Sequence, residues 1–428
     1  MPTVPSSSTM LILTVGGSPP PVAASVLHWR PARVLFLPSR DSRSKIEQEI
    51  LPLLQRESFD LDPGRYDVEI LDDEQDLTRC LEQIRHLTPR VQEWVARGDE
   101  FEVVVDITAG TKAMSSALAL QAHEWVCRYS YVGGTERDKG GVGVVVSGKE
   151  QIVHTQNPWK VMGFRALDRA ITLFDHGDFA AATQLIKDEL RLIQDTARKC
   201  ELSAISKIAE AHLHWDRFQH GKALGILSIL GKDENHLIAA LGQKDAKRLL
   251  DGLKDEIRIL QEIELRKKVP CLPMVKDLIG NAARRSREGR FDDAVARLYR
   301  AIEAIAQMGL LEDHGISGTD GVPLERVPEP FRTELTPRAR DRCVKIGLQD
   351  AYRLLRELGD ERGNRFEELG LAHLKKSPLL ARNNSILAHG FEPVSEKVLE
   401  SLHASAMSLA GLDETQIVKF PKIRSRDG

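Results

Sequence analysis

Cysteine is scarce in this chain and does not cluster. The five cysteines are far apart along the 428 residues, without a CxxC pair or a His–Cys cluster: Cys80, Cys127, Cys200, Cys271 and Cys343. This scatter argues against a structural zinc site, and it predicts reduced thiols and a cytoplasmic location. We therefore expect no metal site.

The chain also lacks signals for export or membrane insertion. Its first nine residues contain neither a basic region nor an apolar stretch, so we expect no signal peptide. No apolar run approaches the roughly 18 residues that are needed to span a bilayer.

The chain has almost no net charge. The 60 basic and 63 acidic side chains leave a charge of −3, so any contact with nucleic acid must be local. With 42% apolar and 29% charged residues, the composition is that of a globular protein. Its length predicts two or three domains.

The first 155 residues alternate between strand and helix patterns. This alternation predicts an α/β domain with a parallel, doubly wound sheet, because short apolar strands suit a sheet covered on both faces. The predicted strands are Met10–Val15, Arg33–Leu37, Tyr66–Leu71, Phe101–Val105, Tyr129–Val132 and Val142–Val146, and the predicted helices include Ser44–Leu54, Leu77–Leu87 and Ser115–Trp125.

Two loops in this region carry residues that suit an anionic ligand. Gly16-Gly17-Ser18 follows the first strand, and Asp106–Met114 follows the fourth and leads into a helix. The second loop offers Lys112 beside a helix N-terminus, where backbone N–H groups favour anions. Neither a Walker A sequence nor GxGxxG is present, so an NTPase or a dinucleotide oxidoreductase is poorly supported. A helix cap and a solvated lysine remain the alternative.

The rest of the chain predicts helices. Two similar Gly-x-Phe turns, around Gly177 and Gly289, suggest paired helices, for which a TPR-like scaffold is the alternative. We expect a bridging helix over Asp233–Leu265, a boundary at Val269–Pro273 and a mobile loop over Asp313–Pro337. The remaining prediction is a long amphipathic helix, Phe291–Leu311, that carries Arg297, Arg300 and Glu303.

One short stretch near the end has the residues of a catalytic site. Ser377–Gly390 predicts a single helix with Ser377 as its cap and Gly390 as its left-handed stop. Arg382 and His389 are seven residues apart, which in a helix places them on one face. A cation and a titratable imidazole suit phosphodiester cleavage. Arg79 and His86 have the same spacing, and there a solvated face is the favoured interpretation.

These two motifs resemble known families. The Asp-x-Thr-x-Gly-Thr-Lys-x-Met loop resembles the CARF domain, a CRISPR-associated Rossmann-like fold. The Arg-x6-His motif resembles the HEPN domain, whose signature is Arg, four to six residues, then His. In this order they resemble the accessory ribonucleases of type III CRISPR systems, the Csm/Csx class. The resemblance implies a CARF domain over 1–157, a helical linker over 158–270 and an all-α HEPN domain over 271–428.

The resemblance also implies a function. It implies metal-independent cleavage of single-stranded RNA by a homodimer without a cofactor, switched on by a cyclic oligoadenylate of four or six units, and no role for DNA or a membrane. The implied catalytic residues are Arg382, Asn383 and His389. The implied ligand-binding residues are Gly16, Gly17, Ser18, Ser39, Thr108, Gly110, Thr111, Lys112 and Met114. A regulator without catalysis, or a ribonuclease toxin that the first domain does not control, remains the alternative.

Overall fold

The fold was analysed in a computed structural model, which describes residues 9–96, 102–134, 150–193, 195–266, 269–373, 377–387 and 390–424. The chain packs as two compact units, Met1–Ala166 with Glu189–Lys199, and Leu167–Asp188 with Cys200–Gly428. The division into three domains stays a prediction.

The first unit is an α/β sandwich. Its described strands are β1 (Thr9–Val15), β2 (Arg33–Pro38), β3 (Tyr66–Val68), β4 (Glu102–Asp106), β5 (Arg128–Gly134) and β6 (Glu150–Gln156). The strand order is β3-β2-β1-β4-β5-β6, in which only β6 is antiparallel to its neighbour. Its longer described helices are α1 (Pro19–Trp29), α2 (Leu51–Arg56), α3 (Leu77–Arg85), α4 (Thr88–Val95) and α5 (Lys112–Ala122).

Burial explains the strands that the sequence predicts well. The apolar side chains of β1 and β4 alternate between two buried clusters, one on each face of the sheet. The parallel sheet is therefore confirmed. The predicted strand Val142–Val146 lies outside the described residues, and β6 is a strand that the sequence analysis did not predict.

The remaining chain is helical. Its described helices are α6 (Pro158–Val161), α7 (Phe164–Asp175), α8 (Phe179–Glu189), α9 (Thr196–Asp216), α10 (His220–Ile229), α11 (Glu234–Leu241), α12 (Gln243–Leu265), α13 (Leu272–Arg287), α14 (Phe291–Glu312), α15 (Phe331–Leu335), α16 (Leu348–Glu357), α17 (Glu361–Glu368), α18 (Leu379–Asn384) and α19 (Glu396–Ala410). A two-stranded ribbon, β7 (Val322–Pro323) with β8 (Cys343–Val344), interrupts them. The α14 helix is central, since it packs against α13, α16, α18 and α19.

The two predicted glycine turns are confirmed. Gly177 separates α7 from α8 and Gly289 separates α13 from α14, with φ angles of +91° and +71°. Only glycine adopts such angles without strain, so both turns need it.

The predictions of a bridging helix and of a mobile loop were wrong. The predicted bridging helix is two helices, because Gly242, with a φ of +81°, separates α11 from α12. The segment from Asp313 to Pro337 is ordered, because Ile316, Val322 and Phe331 fill the core beneath it. Its glycines and prolines shape turns over that core.

Candidate functional site

The first candidate site lies where the strand order reverses. The β1 and β4 strands are adjacent and parallel, while the chain leaves them toward opposite sides of the sheet order. Ligands bind at such switch points in doubly wound sheets. The two loops touch here: a Cβ added to Gly16 would lie 2.7 Å from the Gly110 nitrogen, and the Thr14 hydroxyl donates to the carbonyl of Ala109.

A buried carboxylate shapes the second loop. Asp106 ends β4, and its Oδ2 accepts hydrogen bonds of 2.8 Å from the hydroxyls of both Ser25 and Ser130. Its Oδ1 accepts one of 2.9 Å from the backbone N–H of Thr108. Asp106 belongs to the loop motif, but this anchoring role was not predicted. Its signal was a carboxylate at the end of a buried strand.

Several predicted ligand-binding side chains are engaged inside the protein. The Thr108 hydroxyl accepts the N–H of Val132 at 2.7 Å. The Ser39 hydroxyl pairs with that of Ser42 at 3.1 Å, and Met114 is buried in the core. These three side chains hold the site together. Backbone groups and other side chains are then left to face a ligand.

The alternative for Thr111 is also realised, because it caps a helix. Its hydroxyl accepts the Met114 N–H at 3.2 Å and donates to the carbonyl of Glu74. The α5 helix begins at Lys112, three residues earlier than predicted. Lys112 is thus the first residue of the helix, and its exposed side chain stands beside free backbone N–H groups.

The two helices that start at this edge differ in their chemistry. The first three residues of α1 are Pro19, Pro20 and Pro21, which have no N–H to offer. The first N–H groups of α5 are intact. An anion is therefore favoured at α5, while Gly16, Gly17 and Ser18 supply room for close approach.

Gly110 should tolerate substitution poorly. Its φ is +86°, and an added Cβ would lie 3.0 Å from the Thr14 Cβ. We expect Gly110→Ala to lower the free energy of unfolding by about 1–3 kcal/mol. Urea unfolding measures this, with Gly17→Ala as the control because its Cβ meets nothing within 4 Å. Equal stability of both variants would contradict the prediction.

The second candidate site is built around α18. The predicted helix from Ser377 to Gly390 was wrong in length, because α18 ends at Asn384 and Ser385 is extended with a ψ of 163°. The Ser385 hydroxyl donates to the Arg382 carbonyl at 3.0 Å, which replaces a helical hydrogen bond. At the other end the prediction holds, since the Ser377 hydroxyl accepts the Leu379 N–H at 3.2 Å.

Gly390 has a role other than the one predicted. Because α18 ends at Asn384, Gly390 does not directly follow the helix and is not its stop. Its N–H donates to the Ser385 carbonyl at 3.3 Å, and Glu392 donates to the Asn384 carbonyl at 3.0 Å. The chain thus folds back onto the end of α18. A side chain at position 390 would collide with the Asn384 backbone.

Arg382 lies on α18 and contacts the neighbouring helix α14. Its guanidinium carbon lies 4.9 Å from the centre of the Tyr299 ring on α14, and its Nη1 donates to the Asn383 amide oxygen at 3.3 Å. Asn383 is exposed. His389 lies outside the described residues, so its position stays a prediction, but α18 ends at Asn384 and one helical face no longer relates it to Arg382.

The charged residues predicted on α14 divide into two groups. Arg297 contacts Asn281 and Asp293 and takes part in helix packing. Arg300 pairs with Glu303 at 3.1 Å, one turn from Tyr299. Tyr299 was missed, because one tyrosine in an amphipathic helix has no distinguishing sequence signal.

The electrostatics around Tyr299 follow from burial and charge. Burial raises the pKa of the phenol, Glu303 raises it further, and Arg382 lowers it. The ring therefore stays neutral near pH 7.

The described residues contain no group of three or more His, Cys, Asp or Glu side chains that could hold a metal ion. None of the described helices combines the length and apolar character needed to cross a membrane.

Comparisons with known proteins agree with this arrangement. Residues 163–262 match the family model of the Csm6 6H domain, and residues 262–413 match that of the Csm6 HEPN domain. The CRISPR system endoribonuclease Csm6 of Thermus thermophilus is 25% identical over 435 aligned residues, which cover 95% of this chain and 85% of that protein.

A solved structure shares the fold. Enterococcus italicus Csm6 bound to cyclic hexa-2′-fluoro-hexa-dAMP matches with a TM-score of 0.53 and 12% identity, over 96% of this chain and 95% of that chain. Since both helical regions match Csm6 domain models and a Csm6 relative aligns along nearly the whole length, the chain belongs to the CRISPR-associated CARF–HEPN ribonucleases and is an RNA-cleaving enzyme.

Proposed function

We propose that this protein is a metal-independent endoribonuclease that cuts single-stranded RNA in type III CRISPR defence and is activated by a cyclic oligoadenylate. The observation that carries the proposal is the placement of Arg382, partly buried over Tyr299 inside the region that matches the HEPN model. The Arg382 fork suits two phosphate oxygens. His389, seven residues further along the chain, is the group suited to proton transfer.

The proposed reaction uses the nucleophile that RNA itself carries. The 2′-oxygen gives up its proton and attacks the adjacent phosphorus, and the bond from phosphorus to the 5′-oxygen breaks. A proton passes to the departing oxygen. The products are a 2′,3′-cyclic phosphate and a 5′-hydroxyl end. His389 would move a proton, Arg382 would offset phosphate charge and Asn383 would orient the substrate.

The activator would bind at the switch point of the first unit. The ligand of the Enterococcus italicus relative, cyclic hexa-2′-fluoro-hexa-dAMP, supports this proposal. Backbone at Gly16, Gly17 and Gly110 would approach the ring, and Lys112 would bind its phosphates. The side chains of Ser39, Thr108, Thr111 and Met114 would support the site from inside.

The proposed active form is a cytoplasmic homodimer. Three large apolar side chains beside the Arg382 site are exposed: Ile386 by 69%, Leu387 by 50% and Phe391 by 93%. Exposed apolar side chains close together in the sequence favour a protein partner. A second copy would cover them and bring two Arg382 sites together. Sedimentation of the purified protein tests this.

One cleavage assay separates the proposal from its alternatives. Labelled single-stranded RNA is incubated with the pure protein in EDTA, with and without cyclic tetra- or hexa-adenylate. We expect one ring size to stimulate cleavage and the products to end in 2′,3′-cyclic phosphate. A strict need for Mg²⁺ or Mn²⁺, or 3′-hydroxyl ends, would contradict the mechanism. No cleavage would favour the regulator, and cleavage unaffected by either ring would favour the uncontrolled ribonuclease.

A further inference from the structure

Tyr299 is the aromatic side chain placed against Arg382. It lies on α14, packs against the core of the second unit and is partly buried. The 4.9 Å between the Arg382 guanidinium carbon and the ring centre is within the range of a cation–π contact, about 6 Å. The contact joins α18 to the central helix of the unit.

The other contacts of Arg382 leave its donors available. Among the described residues, its only side-chain hydrogen bond is to Asn383, at 3.3 Å, and no carboxylate pairs with it. A guanidinium donates in its own plane, while an aromatic ring attracts it from above. The Tyr299 ring can therefore hold Arg382 without using the N–H groups that would face a phosphate.

We propose that Tyr299 is a positioning residue for RNA cleavage, whose ring fixes the guanidinium of Arg382 before the substrate arrives. The inference rests on the proposed role of Arg382. An arginine side chain has many rotamers, and ordering it in advance reduces what must be ordered on binding. A carboxylate would also hold Arg382, but it would compete with the phosphate for the same N–H groups.

The charged residue next to Tyr299 is paired with other residues of α14. Arg300, the next residue on α14, pairs with Glu303 at 3.1 Å and donates to Gln307 at 3.0 Å. These contacts stay on α14 and do not involve Arg382. Among the described residues of α14, Tyr299 thus contacts Arg382 through its ring.

The test compares variants that keep or remove the ring. Tyr299→Phe should cleave RNA within about twofold of the wild-type rate, because the ring remains. Tyr299→Leu and Tyr299→Met should lower kcat by about 3- to 30-fold and change KM less, since a cation–π contact has that effect when partly desolvated. Phe291→Leu is the matched control, a partly buried aromatic residue on the same helix and core.

The outcomes are distinct. Wild-type kcat in both Tyr299→Leu and Tyr299→Met would overturn the inference, and so would an equal loss in Tyr299→Phe, which would assign the effect to the hydroxyl. Arg382→Ala is measured in parallel. If it is inactive while Tyr299→Leu is unimpaired, only the inference fails. If Arg382→Ala cleaves normally, the proposed catalytic role fails as well.

Discussion

Replacing either Arg382 or His389 by alanine is expected to lower the rate of RNA cleavage by about 10²- to 10⁴-fold. Loss of His389 would remove the proton-transfer group, and loss of Arg382 would leave charge on the phosphate unopposed, each with an effect of this order. Cleavage of labelled RNA at saturating activator measures the change. Circular dichroism and sizing should show an intact fold and dimer, since the contacts of the Arg382 side chain with described residues are one ring contact and one hydrogen bond.

A matched control comes from the same chain. Arg79 and His86 have the spacing of the proposed catalytic pair, but Arg79 lies exposed on α3 and pairs with Glu82 at 3.6 Å. The double variant Arg79→Ala/His86→Ala should cleave at the wild-type rate. Near wild-type cleavage by both Arg382→Ala and His389→Ala would end the proposed assignment of the catalytic residues.

Lys112→Ala is expected to weaken binding of the activating ring by at least 10- to 100-fold. A charge-assisted contact contributes about 1.5–3 kcal/mol, and a ring in a symmetric dimer would lose two of them. The start of α5 at Lys112 strengthens the expectation, because the ammonium and the free N–H groups of the helix favour the same anion. Activation should shift to higher ring concentration, while the rate at saturation changes little.

Titration of the ring against binding and cleavage measures both effects. Lys45→Ala is the control, because that lysine pairs with Glu49 at 3.2 Å on another helical segment of the same unit. If Lys112→Ala binds the ring with wild-type affinity, Lys112 is only a solvated lysine and does not bind the phosphates. Normal binding without activation would mean that Lys112 transmits the signal instead of holding the ring.

The sequence predicted those parts of the fold that burial determines. The β1 and β4 strands are continuous apolar runs, and such runs are recognisable because both faces of the sheet are covered. The β6 strand, Glu150–Gln156, was missed because an edge strand needs few apolar residues. The start of α5 was placed too late, because the cap role of Thr111 was treated only as an alternative.

Tertiary contacts determine what the sequence did not predict in the second unit. Side-chain bonding by Ser385 ends α18 early, against a pattern that predicts a longer helix. The pairing of Arg382 with Tyr299 joins residues 83 positions apart, which no local pattern records. The segment from Asp313 to Pro337 was predicted to be mobile from its composition, although its few apolar residues fill the core.

The early end of α18 bears on how this motif can vary in length. Within a helix, each residue inserted between an arginine and a histidine would rotate the histidine by about 100° around the axis. Here the helix stops two residues after Arg382, and the Gly390 N–H donates to the Ser385 carbonyl. The spacing between the two proposed catalytic residues can therefore change without rotating His389 around the α18 axis, whereas the Asn384 backbone leaves no room for a side chain at position 390.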